Sequence, residues 1–316
     1  MYDAVAIGEL LIDFASVSAD ADGYPVMAAH PGGAPANYLA AMAAYGKKTA
    51  FIGKVGTDTF GNLLVNTLES AGIETKGIIR DDRYFTTLAF VTFDSTGDRS
   101  FSFSRKPGAD TMLSFDEVDL SLLDTRVLHF GTLSLTDEPS RSATYRLLDA
   151  AKERGCIISL DPNLRKPLWS SEETAKEQML LALSKADVVK ISDDEVDFLW
   201  QLSPEEGAEK ILSEFGAKLV FVTCGADGAV YAGRNGKGRV PGLSGLKVID
   251  TTGAGDIFGG TAMAALLDSG KNPEELSADE MAYIARKACI TASLSTTAPG
   301  GIGSIPSVET VDSYLK

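Results

Sequence analysis

Histidine is nearly absent. His30 and His129 are the only two, so one chain cannot assemble a multi-histidine metal centre, and neither residue lies in a ligand-spaced motif. Cysteine is scarce as well: Cys156, Cys224 and Cys289 are odd in number, far apart and without metal-ligand spacing. They read as small buried hydrophobes in a reducing compartment rather than as a disulfide framework. Basic residues are outnumbered, with 29 Lys and Arg against 44 Asp and Glu and a formal net charge of −15. That balance excludes the broad basic surface of non-specific nucleic-acid binding, so a polyanionic ligand must be held locally. No stretch is apolar enough to span a membrane, and Met1 to Gly8 lacks a basic region leading into a signal-length apolar run. The expectation is a soluble, cytoplasmic protein without membrane or nucleic-acid partners.

What is present is ordinary core material: 44% of the 316 residues are hydrophobic and 23% charged, which fits a single domain over residues 1–316 with a small appendage. Short β-rich apolar runs recur at Val5 to Gly8, Ala50 to Val55, Val127 to Phe130, Ile157 to Leu160, Val188 to Ile191 and Leu219 to Val222, with helical patterns between them. This alternation predicts an α/β fold whose central sheet is mainly parallel and flanked by helices. Ligands of such sheets bind beyond the carboxyl ends of the strands. Two stretches break the pattern, Leu10 to His30 and Thr86 to Arg105, and predict a small antiparallel sheet outside the main layer. In Ser100 to Arg105 the alternation puts Phe101, Phe103 and Arg105 on one face. That face reads as an ordinary half-buried strand, a lid over a ligand, or a contact between two copies.

The strongest local signal is Asp250-Thr251-Thr252-Gly253-Ala254-Gly255-Asp256, which leads into a helical pattern from Ile257 to Leu267. Small residues let the backbone aim successive N–H groups at one point beside a helix N-terminus, a geometry suited to phosphate oxygens. Asp256 then stands where it can take a proton from an attacking hydroxyl, and a hole beside a base is the logic of phosphoryl transfer. The plainer alternative is an acidic residue complementing a helix dipole. A Walker A loop is excluded because no Gly-Lys-Ser/Thr follows, and a dinucleotide fingerprint lacks its third glycine. A second signal, Pro31-Gly32-Gly33-Ala34-Pro35-Ala36-Asn37, opens an alanine-rich helix ending near Gly46. Asn37 offers a donor and an acceptor to a polyol, or else caps the helix.

Together these segments resemble the two signatures of the ribokinase-like (PfkB) family of carbohydrate kinases. The resemblance extends through Gly8 to Phe14, Asp161-Pro162-Asn163-Leu164-Arg165 with Pro167-Leu168-Trp169, and Thr223 to Gly228. It implies a ribokinase-like fold with a β-sheet lid built from about residues 10–30 and 86–105. It further implies that Asp256 is the base, that the backbone from Gly253 through Ala254 and Gly255 to Asp256 is the anion hole, and that Asp13, Gly32, Gly33 and Asn37 bind the sugar. Lys190, Ser192, Thr223, Gly225 and Gly228 match nucleotide-phosphate positions. Where many relatives carry Asn-x-x-Glu, this chain has Ser192-x-x-Glu195; Glu195 is expected as an outer-shell Mg²⁺ residue, or as half of a helix cap with Ser192. Positions matching Asp250, Thr252, Ser295 and Gly300 surround a monovalent cation in the family, which implies K⁺ activation.

The segments are most similar to the fructokinase branch. The implied reaction is ATP plus D-fructose giving fructose 6-phosphate and ADP, with Asn163 and Arg165 lining the pocket, Phe101, Phe103 and Arg105 closing over it, and a homodimer formed through the lid. The nearest rival substrate, 2-keto-3-deoxygluconate, carries a carboxylate and demands an extra cation, for which Arg105 and Arg165 are the candidates. A nicotinamide-dependent oxidoreductase fails on its missing glycine fingerprint, and a sugar sensor on this fold would not need Asp256 beside an intact hole.

Overall fold

The computed structural model describes residues 1–93 and 99–316; the side chains of residues 92, 93 and 99–101 also lie outside the description. Among the described residues the strands are β1 (Tyr2–Ile7), β2 (Leu11–Ala19), β3 (Pro25–Gly32), β4 (Thr49–Gly56), β5 (Ile73–Asp81), β6 (Leu88–Phe93), β7 (Arg99–Ser104), β8 (Thr125–Gly131), β9 (Ile157–Asp161), β10 (Val188–Ser192), β11 (Leu219–Thr223), β12 (Ala229–Gly233) and β13 (Gly236–Val240). The helices are α1 (Ala34–Ala44), α2 (Thr59–Ser70), α3 (Ser140–Glu153), α4 (Glu172–Leu183), α5 (Asp193–Trp200), α6 (Pro204–Phe215), α7 (Ala254–Ser269), α8 (Ala278–Ser295) and α9 (Val308–Leu315). None of these helices is long and apolar enough to cross a membrane.

The main sheet has the order β13-β12-β11-β10-β9-β8-β1-β4-β5. From β11 to β5 every neighbouring pair is parallel, and β12 and β13 close one edge as an antiparallel hairpin. All six apolar runs are strands of this sheet. They are buried because helices cover both faces. Ala4, Ala6, Phe51, Val127, Leu219 and Phe221 point toward α1, α2, α7 and α8, while Val5, Ile7, Ile52, Leu128, Phe130 and Val220 point toward α3, α4, α5 and α6. The chain moves from β1 outward through β4 to β5 and then returns to β8 on the other side of β1. The β1/β8 junction is therefore the topological switch point, and the carboxyl ends of the strands there open the crevice where ligands of such sheets bind.

The second sheet, β3-β2-β6-β7, contains the described part of both irregular stretches. It is mixed rather than antiparallel as expected: β2 pairs with β6 in parallel, flanked by antiparallel partners. The reason is directional. β2 follows β1 and β6 follows β5, and both leave the carboxyl ends of parallel strands, so they rise away from the main sheet the same way.

Candidate active site

At the switch point α7 begins without a side-chain cap. Gly253 precedes it with φ +79°, a left-handed conformation that turns the incoming loop sharply into the helix. Asp250 holds that loop: its Oδ1 accepts from the Thr252 N–H (2.9 Å) and hydroxyl (2.8 Å), and its Oδ2 accepts from the Gly300 N–H (2.9 Å). The Ala254 N–H donates to the Thr251 carbonyl (3.3 Å), which removes it from the expected anion hole. The N–H groups of Gly253, Gly255 and Asp256 make no hydrogen bond among the described residues, and they lie at the positive end of a 16-residue helix, where an anion would be favoured.

Asp256, in the first turn, accepts from the Asn37 side-chain amide at 2.9 Å. The alternative of Asn37 as a helix cap falls here, because α1 starts at Ala34 with Gly33 as its N-cap residue. The Asn37 Oδ1 is buried with no partner among the described residues, as an acceptor waiting for a hydroxyl would be. Two helices can approach this closely only without side chains between them: a Cβ on Gly260 would lie 2.2 Å from the Tyr38 carbonyl oxygen. Lys190 on β10 reaches the same place, paired with Asp161 at the end of β9 at 3.0 Å. A Cβ on Gly255 would sit 2.8 Å from the Lys190 Nζ, so that ammonium stands beside the hole.

Burial, reinforced by the charge of Asp161, pushes the Asp256 carboxyl up to about 7, against the pull of Asn37, Lys190 and Arg165. Burial also raises Asp161, with Lys190 opposing. Burial works against the charge on Lys190, but Asp161, Glu195 and Asp256 outweigh it and hold its pKa above the ordinary value.

Two cavities meet at this cluster. One, of about 820 Å³, is lined by Asp13, Gly32, Gly33, Asn37, Phe103, Asn163 and Asp256. The other, of about 1200 Å³, is lined by Ser192, Glu195, Thr223, Gly225 and Gly228. Arg165, Lys190, Thr251 and Gly255 face both. Such an arrangement presents a small polar molecule on one side to a larger anionic one on the other, with a base and a cation between them.

In the first cavity Asp13 is raised to about 6 by burial, with Arg165 and His30 opposing and the Asp250 charge adding to the shift. Gly32 leaves the room this carboxylate needs, since a Cβ there would lie 2.2 Å from its Oδ2. Gly33 has φ +125°, and its Cβ would lie 2.5 Å from the Glu9 carbonyl oxygen. Gly33→Ala is therefore expected to destabilise the protein by about 2 kcal/mol or more, measured as a lower denaturant midpoint. In the second cavity Gly228 (φ +90°) would bring a Cβ within 2.0 Å of the Val240 carbonyl oxygen, so this loop also requires glycine.

Several expected residues are used differently. Arg105 does not line the first cavity; it is buried at the base of the lid, where its guanidinium binds Asp110 (2.7 Å), the Thr136 hydroxyl (2.8 Å) and the Leu133 carbonyl (2.8 Å). β7 ends at Ser104, one residue short of Arg105, so strand alternation does not govern this side chain, which meets Asp110 instead. Phe101 was expected over the same cavity, and its side chain lies outside the described residues. Ser192 and Glu195 form the full capping box of α5, and the Leu164 N–H takes the second Glu195 oxygen (2.7 Å). The 250–252 and 300–301 segments are hydrogen-bonded to each other, while the Ser295 hydroxyl turns back to the Ala292 carbonyl (2.8 Å). Two residues were missed. Asp161 had a signal, a carboxylate closing an apolar strand run; Glu9, which lines the first cavity, had only its place after β1.

Comparisons with known proteins agree along the whole chain. Residues 1–308 match the family described as pfkB family carbohydrate kinase. Fructokinase-2 of Oryza sativa subsp. japonica is 41% identical over 312 residues, covering 96% of this chain and 91% of the rice protein. Among solved structures, a fructokinase from Xylella fastidiosa with bound ATP superposes with a TM-score of 0.86 at 30% identity, covering 100% of this chain and 98% of that one. A double mutant of the Vibrio cholerae O395 fructokinase, with fructose, ADP and potassium ion bound, has a TM-score of 0.87 at 32% identity, covering 100% and 99%.

Proposed function

We propose, because the chain belongs to the pfkB family of carbohydrate kinases, that it is an ATP-dependent fructokinase converting D-fructose and ATP to fructose 6-phosphate and ADP. The observation that carries this reading is the meeting of the two cavities at Gly255 and Lys190, with Asp256 on the first of them. The sugar occupies the smaller cavity, its hydroxyls held by the Asp13 carboxylate and the unpartnered Asn37 oxygen. The nucleotide occupies the larger one, its phosphates over Thr223, Gly225 and Gly228.

The acceptor hydroxyl lies against Asp256. As its oxygen bonds to the γ-phosphorus, the bond from that phosphorus to the β,γ-bridging oxygen breaks, the proton passes to Asp256, and ADP leaves. Transferring oxygens rest on the free N–H groups of Gly253, Gly255 and Asp256, with Lys190 alongside. In a loose transition state this charge stabilisation supplies more rate than the base does. A divalent ion arriving with the nucleotide would neutralise phosphate charge. Both Glu195 oxygens already accept from protein donors, so Glu195 suits contact through water better than direct ligation. The Asp250, Thr252 and Gly300 cluster supports a monovalent site nearby, and rates that match in sodium-only and potassium buffers would remove it. The lid exposes Val17, Tyr24 and Val26, apolar surface that a second copy would cover; sedimentation at micromolar concentration tests this pairing.

Asp13→Asn is expected to raise the fructose KM about tenfold or more, with kcat little changed, since a hydrogen bond to a charged group is worth about 1.5–3 kcal/mol. In the parent protein the same loss should appear as a fructose KM that climbs as pH falls through about 6, where Asp13 takes up its proton. A pH-independent KM between 5 and 8 would remove Asp13 from sugar binding.

A coupled ADP-release assay over D-fructose, D-ribose and 2-keto-3-deoxygluconate tests the substrate. D-fructose should give the highest kcat/KM, and a higher value for another acceptor overturns the assignment. The acid rival is weakened because, of its two candidate cations, Arg105 is committed to Asp110 and only Arg165 lines the first cavity. Sugar binding without ADP release would identify a sensor instead.

A further inference from the structure

Helix α1 carries Gly33 and Asn37 at its start, yet it has no cap of its own. Gly33, at the N-cap position, has no side chain, the first turn contains no acidic residue, and Pro35 is in the first turn. Gly33 cannot be exchanged for a capping serine or aspartate, because its φ of +125° and its 2.5 Å approach to the Glu9 carbonyl leave no room for a Cβ. The orphan donor is satisfied from elsewhere: the Glu9 Oε1, 25 residues back in sequence, accepts from the Ala34 N–H at 2.9 Å in a buried site. Glu9 thus approaches this corner twice, with its backbone against Gly33 and its side chain on Ala34.

The remaining oxygen is informative. Glu9 is 2% exposed, and its Oε2 has no partner among the described residues. The nearest charges felt by the carboxyl are those of Arg105 and Asp110, which are bound to each other beneath the lid. A buried carboxyl with one oxygen unserved carries a desolvation cost that a single hydrogen bond offsets only in part, and an apolar side chain in its place would leave the Ala34 N–H unserved instead. The one bond that Glu9 makes is therefore where its role lies.

We propose that Glu9 is a positioning residue of the sugar pocket, capping α1 in place of the glycine that the pocket requires and so fixing Gly33, Asn37 and, through the Asn37–Asp256 hydrogen bond, the base. It acts through the Ala34 N–H; because Glu9 also lines the first cavity, the exchange of residues 34–37 separates this role from a direct contact with the sugar. What matters is an acceptor oxygen at this reach. The consequence for fructose turnover rests on the kinase reading above; the consequence for α1 does not.

The test compares Glu9→Met, which keeps volume and removes the acceptor, with Glu9→Gln, which keeps the acceptor at the same reach. Glu9→Met should lower Tm only modestly, increase the fructose KM about tenfold, leave the ATP KM within about twofold, and speed hydrogen exchange at residues 34–37. Glu9→Gln should stay within about threefold of the parent in every kinetic constant and keep the parent exchange rates. A Met variant with parent fructose KM and exchange overturns the proposal, as does a rise in both KM values alike, or a Gln variant as impaired as the Met variant. Should the Met variant not fold, the Gln variant decides: near-parent constants support the proposal and their loss overturns it. Should the parent phosphorylate no sugar, the function fails separately, and the exchange of residues 34–37 alone judges the cap.

Discussion

Asp256→Asn is expected to lower kcat by about 10² to 10⁴ while leaving the fructose and ATP KM values within a few-fold of the parent. The amide keeps the shape of the carboxylate and can still accept from Asn37, so the helix start and its N–H groups stay in place; only the proton acceptor is lost. The same substitution should stabilise the protein at alkaline pH. The folded pKa of Asp256, about 7, lies above its unfolded value, so its contribution to stability is complete below about pH 4 and is lost as pH rises through 7. The variant's Tm should therefore exceed the parent's at pH 8 and the gap should close toward pH 4. In the parent, kcat/KM should fall as pH drops below about 7 because the base becomes protonated. Near-parent turnover in the purified variant would sink the assignment of Asp256 as base; a lower Tm at pH 8 would sink the account of its ionisation.

Lys190→Met is expected to be nearly as damaging, through two separable routes. It removes the ammonium that faces both cavities beside Gly255, which should lower kcat/KM by about 10² to 10³. It also strips the cation from two buried carboxylates. Asp161 is left unpaired, a loss worth about 3–5 kcal/mol for a buried ion pair broken on one side. With the cation gone, Asp161 and Asp256 hold their protons to higher pH, so the destabilisation should be largest at pH 8 and shrink toward pH 5. The acid limb of kcat/KM should move to higher pH by about one unit or more. If the limb stays where it is in the parent, Lys190 does not govern the ionisation of Asp256, and its role is confined to the phosphates.

Much of this arrangement is legible along the chain. The six apolar runs are strands because a parallel sheet covered on both faces needs continuous hydrophobicity, which a sequence shows directly. β5 and β13 escaped notice for the complementary reason: they lie at the two edges of the sheet, and Ile73 to Asp81 includes Glu74, Lys76, Arg80 and several exposed positions rather than an apolar run. Gly253, Gly255 and Asp256 were legible because an anion hole at a helix start is a local object, set by spacing within one turn. Arg105 was misread because the strand ends at Ser104, so the alternation carried one residue too far, and only the tertiary structure brings Asp110 to that guanidinium.

By itself, then, the order of residues determined the strand–helix alternation, the glycine turns and the helix start that offers N–H groups to an anion, all consequences of short-range sterics and periodicity. Which distant groups meet was decided by the tertiary structure alone. Asn37 reaches Asp256 across 219 residues, Lys190 reaches Asp161 across 29, and Glu9 caps a helix it does not belong to. Such partnerships depend on how closely α1 and α7 pack and on the order of strands at the switch point, and these follow from burying the whole chain at once rather than from any window of it. The pKa of Asp256 is set the same way, since the charges and the burial that raise it come from different parts of the fold.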